Sequence, residues 1–234
     1  MTASKVTASA IIVAAGSSTR MGKPISKQLI KLNGTEVIVH TLKAFEASAS
    51  IDEIILVCRE QDIEIIKKLA ESNGITKPLK LTNGGATRQE SVKNGVMLVS
   101  DSAKYIAIHD GARPLISPAD IDNVVNNAYK YKSSALGVPV KDTIKVVDEN
   151  GIITATPNRS NLIAIYTPQV FNLELYKNAM DKAKKDGKDY TDDCQLVEAL
   201  GESVYVTIGS PTNIKLTTPE DIIIAESFLK EQEN

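Results

Sequence analysis

The chain has 234 residues, 42% apolar and 24% charged, with a net charge of −2; a chain this long buries roughly 70% or more of its unfolded surface and needs no disulfide or metal staple. Aromatic residues make up only 4% and the charge balance is slightly acidic, so nucleic acid is not an expected partner. No apolar run approaches the roughly 18 residues of a membrane span and no leader pattern opens the chain, so no membrane association is expected and the expected location is the cytoplasm.

The apolar runs alternate in type. Residues 10–14 are a short β-branched run closed by Gly16, which predicts a buried strand. Residues 35–47 have helical spacing through Val37, Ile38, Thr41, Leu42 and Phe45, and residues 53–58 are again strand-like. A helix is predicted over 61–72, stopping at Asn73-Gly74. A strand over 78–81, a helix over 88–99 and a strand over 105–109 follow. Ser117-Pro118 opens another helix, with Ser as cap and Pro at the first position. This alternation predicts an α/β fold, a Rossmann-like, mostly parallel sheet with helices on both faces.

The middle of the chain breaks the rhythm. Residues 135–140, 143–147 and 152–156 are strand-like, and Asp148-Glu149-Asn150-Gly151 is a hairpin turn signal. The expectation is a protruding β-hairpin arm over about 139–160, either a plain surface hairpin or a dimer element. Helices near 173–185 and 192–200, a strand over 204–208 and a final helix over 219–230 complete the chain. No repeat or Pro/Gly linker divides it, so residues 1–234 are read as a single domain. The two cysteines, Cys58 and Cys194, lie in no CxxC or Cys/His cluster, so no protein metal site is expected.

Ala14-Ala15-Gly16-Ser17-Ser18-Thr19-Arg20-Met21-Gly22-Lys23-Pro24 follows the first strand. In an open α/β sheet, ligands bind beyond the carboxyl ends of strands, where small residues let backbone N–H groups approach a phosphate. The loop is neither G-x-G-x-x-G nor a Walker sequence, since five residues separate Gly16 from Gly22 and Pro24 follows Lys23. It offers small backbone at 14–18 and cations at Arg20, Lys23 and Lys27, suited either to a triphosphate or to an ordinary solvated loop.

From this loop onward the chain resembles the nucleotidyltransferases that activate sugars and polyols. The pattern Ala-Ala-Gly-x-x-x-Arg-Met-Gly…Lys-Gln spans Ala14 to Gln28. Asn83-Gly84-Gly85-Ala86-Thr87-Arg88-Gln89-Glu90-Ser91 is similar to the base-binding segment of these enzymes, and His109-Asp110-Gly111-Ala112-Arg113-Pro114 to a later turn. Val140-Lys141-Asp142-Thr143-Ile144-Lys145, Tyr166-Thr167-Pro168-Gln169 and Asn213-Ile214-Lys215 complete the set in order. Within this group the chain most resembles the methylerythritol phosphate cytidylyltransferase family. The ribitol phosphate cytidylyltransferases are the neighbouring alternative, and a nucleotide binder without turnover a more distant one. Asn158 and Tyr166 stand where the family often carries Asp and Gln.

The resemblance implies transfer of a cytidylyl group from CTP to a polyol phosphate, with release of pyrophosphate. Arg20 and Lys27 would stabilise the charged phosphates; Arg159 and Lys215 would position the attacking phosphate, Arg159 across to a neighbouring subunit if the arm makes a homodimer. Ala14, Ala15, Gly16, Ser17, Gly84, Gly85, Arg88, Ser91, Asp110 and Gly111 would bind the nucleotide, with Gly84, Gly85 and Ser91 facing the cytosine. Thr143, Thr167 and Thr191 are expected polyol contacts. Mg²⁺ would travel mainly on the CTP phosphates, with Asp110 the favoured carboxylate and Asp192 and Asp193 less favoured. Arg113 reads equally as a brace of its turn; His109 and His40 read as structural.

Overall fold

A computed structural model of the chain describes residues 7–16 and 26–232. In chain order the elements are β1 (Thr7–Val13), β2 (Lys31–Leu32), β3 (Thr35–Glu36), α1 (Val37–Ala47), β4 (Glu53–Cys58), α2 (Ile63–Ser72), β5 (Leu79–Asn83), α3 (Arg88–Val96) and β6 (Ala103–Asp110). There follow α4 (Pro118–Tyr131), β7 (Ser133–Pro139), β8 (Val146–Val147), β9 (Ile153–Ala155), β10 (Ile163–Asn172), α5 (Leu173–Asp186), α6 (Asp193–Ala199), β11 (Tyr205–Ile208) and α7 (Pro219–Gln232).

Seven strands form one sheet in the order β11-β7-β10-β6-β1-β4-β5. Every pairing is parallel except those of β10, which runs antiparallel between β6 and β7. Alternate side chains of the central strands feed two cores. On one face Ala10, Ile12, Ile54 and Leu56 pack under α1, α2 and α4 through Leu42, Phe45, Ile66 and Val124. On the other, Ile11, Ile55, Val57, Ile106 and Phe171 pack under α3, α5 and α6 through Val92, Tyr176 and Leu196. Burial on both faces is why these strands read as continuous apolar runs. Gly95 lets α3 lie against the sheet, since a Cβ there would sit 2.5 Å from Ile11 Cγ2. The capping signals act as expected: Ser117 Oγ accepts from Asp120 N–H at the start of α4.

Four expectations need correction. No strand is predicted over 163–172, yet β10 is the longest in the sheet. Pro168 hid it, because proline removes a ladder donor; here it falls at the register irregularity between Ile165 and Gln169. The helix predicted over 88–99 stops at Val96. The piece predicted over 143–147 pairs only at Val146–Val147, and its partner only at Ile153–Ala155; every residue from 141 to 156 is exposed, and without a sheet to lean on the ladder frays. Finally β7 starts at Ser133 and reaches only Pro139, two serines being admitted where a short apolar run was expected to begin.

From β1 the chain builds outward through β4 and β5, then crosses back to lay β6 on the other side of β1. The crevice past the carboxyl ends of β1 and β6 is therefore the topological switch point, where open α/β sheets take their ligands.

Candidate active site

A cleft of about 480 Å³ lies at that switch point, lined among others by Ala15, Gly16, Lys27, Gln28, Gly85, Arg88, Ser91, Asp110 and Lys215. A larger hollow of about 760 Å³ lies between α4 and β11, but its walls hold one lysine, no carboxylate and none of the motif residues. The chemistry is in the smaller one.

Backbone hydrogen bonds carry the sheet ladder past the strand ends to shape the floor. Ala14 N–H donates to Val57 O at 2.7 Å, Gly84 N–H to Cys58 O at 3.0 Å and Gly111 N–H to Val13 O at 2.9 Å. Two glycines are required by close approach: a Cβ on Gly84 would collide with Ala15 Cβ, and one on Gly111 would stand 3.2 Å from both Ala14 Cβ and Val13 O. The turn into α3 is tied to itself. Gly85 N–H donates to Ser91 Oγ at 3.0 Å, and Ser91 Oγ donates to Thr87 O at 2.9 Å. Thr87 Oγ1 accepts from Glu90 N–H, and Glu90 Oε2 accepts from Ala86 N–H at 2.7 Å, a reciprocal cap. Ser91 thus shapes the loop with its hydroxyl while still lining the cleft. The N–H groups of Gly84, Gly85 and Ala86 are all engaged within the protein.

Asp110, at the end of β6, gathers the charges. Lys215 Nζ lies 2.7 Å from Asp110 Oδ2, Arg88 Nε 3.4 Å from Oδ1 and Arg113 Nε 4.0 Å from Oδ2. Burial opposes ionisation of Asp110, but the charges of Arg88 and Lys215 outweigh it and hold the carboxyl well below its ordinary range. Asp110 is therefore a carboxylate at any working pH, and three cations converge on it. Lys27 also lines the cleft, its Nζ donating to Leu216 O at 3.4 Å.

A second layer fixes this cluster. Thr167 Oγ1 accepts from Asp110 N–H at 3.0 Å and lies 3.1 Å from His109 Nδ1. His109 Nε2 faces Arg113 O at 3.2 Å. A single tautomer satisfies all three contacts: Nε2 carries the proton and Thr167 donates to Nδ1. Burial drives the His109 pKa down to about 4, so the ring is neutral and structural, as expected. Arg113 Nη1 donates to Asn213 O at 2.7 Å, Asn213 Nδ2 to Thr167 O at 2.9 Å, and Leu216 N–H to Ala112 O at 2.8 Å. These bonds seat the Asn-Ile-Lys segment that presents Lys215.

The remaining expected residues are placed as follows. Thr167, an expected polyol contact, is buried, and its hydroxyl is hydrogen-bonded to Asp110 N–H and His109 Nδ1. Thr143 is exposed on the arm. Thr191 is exposed and donates to Gln195 Oε1 at 3.1 Å. It lies in the segment that docks on α3 through Gln89, whose Nε2 donates to Lys188 O and whose Oε1 accepts from Tyr190 N–H. Arg159 is on the arm, donating to Lys141 O at 2.6 Å, and is not part of this chain's cleft wall. Ser17 and Arg20 lie outside the described residues. Sequence reading passed over Gln28, Thr87 and Ala112 in the wall and Asn213 behind it; Gln28 and Asn213 were visible only as neighbours of the lysines in their motifs.

A family model described as 2-C-methyl-D-erythritol 4-phosphate cytidylyltransferase matches residues 8–231. The chain is 46% identical over 223 residues to a relative of that name from Caldanaerobacter subterraneus, covering 95% of this chain and 98% of the relative. It is 42% identical to one from Clostridium botulinum, covering 95% and 97%. Among solved structures it is similar to 4-diphosphocytidyl-2C-methyl-D-erythritol synthase from Anaerococcus prevotii, with a TM-score of 0.86 at 34% identity over 96% of this chain and 99% of that one. It is also similar to the cytidylyltransferase of Thermus thermophilus, with a TM-score of 0.76 at 28% identity over 96% and 100%.

Proposed function

The chain belongs to the 2-C-methyl-D-erythritol 4-phosphate cytidylyltransferase family, and we propose that the cleft around Asp110 and Lys215 carries out that family's reaction by in-line displacement. The protein is a transferase of isoprenoid precursor synthesis: it moves the cytidylyl group of CTP to the polyol phosphate and releases pyrophosphate. The relatives' names favour methylerythritol phosphate over ribitol phosphate, and the cations of the cleft favour turnover over mere binding.

The second pKa of a phosphate monoester is about 6, so the attacking oxygen is largely ionised at neutral pH without a general base. That agrees with the histidine behind the cleft, His109, which is neutral, buried and bonded at both ring nitrogens. What remains is positioning and neutralisation of charge. Lys27 in the cleft wall, and Arg20 by the family resemblance, stabilise the charge that develops on the triphosphate. Lys215 holds the attacking phosphate, and Arg159 grips the same phosphate from a neighbouring subunit, its planar fork suiting bidentate contact. The carbonyl oxygens at Gly84 and Gly85 accept from the cytosine amino group, and Gly111 leaves room for the ribose. Thr191 and, across the dimer, Thr143 supply polyol contacts.

Mg²⁺ enters on CTP. Among the described residues no three His, Cys, Asp or Glu side chains converge as a metal site, and the cleft wall carries one carboxylate, Asp110. That donor set fits Mg²⁺, which keeps its waters and takes one or two carboxylates; bound there it neutralises phosphate charge. The homodimer reading is supported by the exposed apolar side chains of the arm: Ile144, Val146, Val147, Ile152 and Ile153 are 40–63% exposed in the single chain. No helix among the described residues is long and apolar enough to cross a membrane, and the cytoplasm is the proposed location.

The observation that carries the reading is the 2.7 Å pair of Lys215 and Asp110 at the switch-point cleft. The test follows pyrophosphate release from CTP and Mg²⁺ with methylerythritol phosphate and ribitol phosphate in parallel. Release with the first alone is expected. Release mainly with the second would overturn the substrate, and silence of folded protein with both would overturn the reaction.

A further inference from the structure

Arg88 stands between two carboxylates. Its Nε faces Asp110 Oδ1 at 3.4 Å in the cleft, while its Nη1 lies 2.7 Å from Asp193 Oδ2 behind it. Asp193 is 2% exposed and does not line the cleft. Its other oxygen, Oδ1, accepts from Tyr176 OH at 2.6 Å, and Tyr176 is fully buried. Gln169 Oε1 accepts from both Asp193 N–H, at 3.1 Å, and Cys194 N–H, at 3.2 Å. The start of α6 is thus tied to β10 through its backbone, the carboxylate is held from α5 through Oδ1, and its other oxygen pairs with the guanidinium. Burial and the Asp193 charge keep the Tyr176 phenol protonated far above its ordinary range, so it is a permanent donor.

We propose that Asp193 is a positioning residue for cytidylyl transfer: by taking the closer share of the Arg88 charge it leaves Asp110 to Lys215. This inference rests on the function proposed above and adds a residue that touches neither substrate. The physical reason is division of charge. Arg88 carries one positive charge shared between two carboxylates, and its contact with Asp110 is the looser of the two. Lys215 makes the short contact to Asp110. Without the Asp193 charge, the guanidinium closes on the remaining carboxylate, where a bidentate Arg–carboxylate pair is the stronger partner. Lys215 then loses the contact that orients it towards the attacking phosphate. The base and ribose are met by backbone at Gly84, Gly85 and Gly111, which this change does not touch.

The competing reading is structural: Asp193 satisfies a buried phenol and starts α6. The two separate in kinetics. Asp193→Asn keeps the shape and an acceptor for Tyr176 but removes the charge. Tyr176→Phe keeps the charge and removes one of its restraints. Both full-length variants are assayed beside wild type by pyrophosphate release from CTP and methylerythritol phosphate, with thermal unfolding recorded. The expected result for Asp193→Asn is a kcat about tenfold or more below wild type, the loss of one charge-assisted contact, with the KM for CTP within about twofold. Tyr176→Phe is expected to lower kcat about threefold, again without moving the CTP KM. Wild-type kcat in folded Asp193→Asn overturns the proposal, as does a loss carried wholly by the CTP KM. If Asp193→Asn does not fold, Tyr176→Phe decides alone: an unchanged kcat overturns the proposal and the threefold loss supports it. Inactive wild type would instead condemn the functional reading on which the proposal stands.

Discussion

Lys215 shows how one side chain is made into a tool. Asn213 on one side and the Leu216 N–H on the other anchor its segment to Thr167 and Ala112, and Asp110 holds its ammonium at 2.7 Å. A cation fixed in this way needs no reorganisation when charge develops, which is what gives preorganised groups their weight. Lys215→Ala should therefore cost about 2.7–4 kcal/mol of transition-state stabilisation, a kcat loss of roughly 10²–10³-fold, by analogy with loss of an oxyanion donor. Steady-state kinetics on folded variant check this; a loss below tenfold would reduce Lys215 to a surface lysine. The two departures from the family pattern also find explanations at this scale. Asn158 caps the short turn at Arg159, its Oδ1 accepting from Ser160 N–H at 3.1 Å, a task Asn and Asp perform alike. Tyr166 lies under the Arg113 guanidinium, 4.3 Å from Cζ to the ring centre, so it braces the same turn that carries Asp110.

Elements are also joined by a buried carboxylate outside the cleft, Glu53. Glu53 on β4 accepts from Ser9 Oγ on β1 at 2.6 Å, from Lys80 Nζ on β5 at 2.9 Å and from Ser100, after α3, through both N–H and Oγ. Burial alone would raise its pKa; the hydrogen bonds from Ser100 and Ser9 outweigh it and hold it at about 2. The folded pKa is depressed, so the stabilisation is complete above the unfolded value and is lost as pH falls through the folded one. Between about pH 5 and pH 2 this site should give up at most about 3 kcal/mol. His109 acts in the same direction: neutral when folded, with a pKa of about 4, its contribution fades from about pH 6.5 downward. Urea unfolding at pH 7, 5 and 3.5 checks both. Glu53→Gln should flatten the lower part of that slope, and an unchanged slope would contradict the assignment. None of this was visible as a pattern, because Ser9, Glu53, Lys80 and Ser100 are ordinary residues until the sheet aligns them. The elements themselves were largely legible, since strands buried on both faces and amphipathic helices leave strong periodic marks. β10 was not legible, because its proline is tolerated only at an irregularity that the neighbouring strands create.

At the scale of the whole molecule the arm is the open question that one experiment closes. If Arg159 acts across a dimer, chains carrying Arg159→Ala and chains carrying Lys27→Ala complement each other. Mixed dimers then own one intact site, and mixing two nearly inactive proteins should restore about a quarter of wild-type activity at equal ratio, random pairing making half the dimers mixed and one site in each intact. Additive residual activity would place Arg159 in its own chain's site or in none.

What the sequence by itself determined was the class of fold and the family. Alternating periodicities dictate a parallel sheet with helices on both faces, and motifs from Ala14 to Lys215 name the cation and glycine positions. Both are local: periodicity acts over a few turns, and each motif is a contiguous stretch whose backbone must approach a ligand. Only the tertiary structure decided how the charges are divided. Lys215, Arg88 and Arg113 meet at Asp110 because β6, α3 and the segment before α7 end at one crevice. Asp193 and Tyr176 reach Arg88 because α5 and α6 pack on the same face of the sheet as α3. Pairing across such distances leaves no mark in the chain, since an ion pair constrains where two residues meet and nothing about what lies between them.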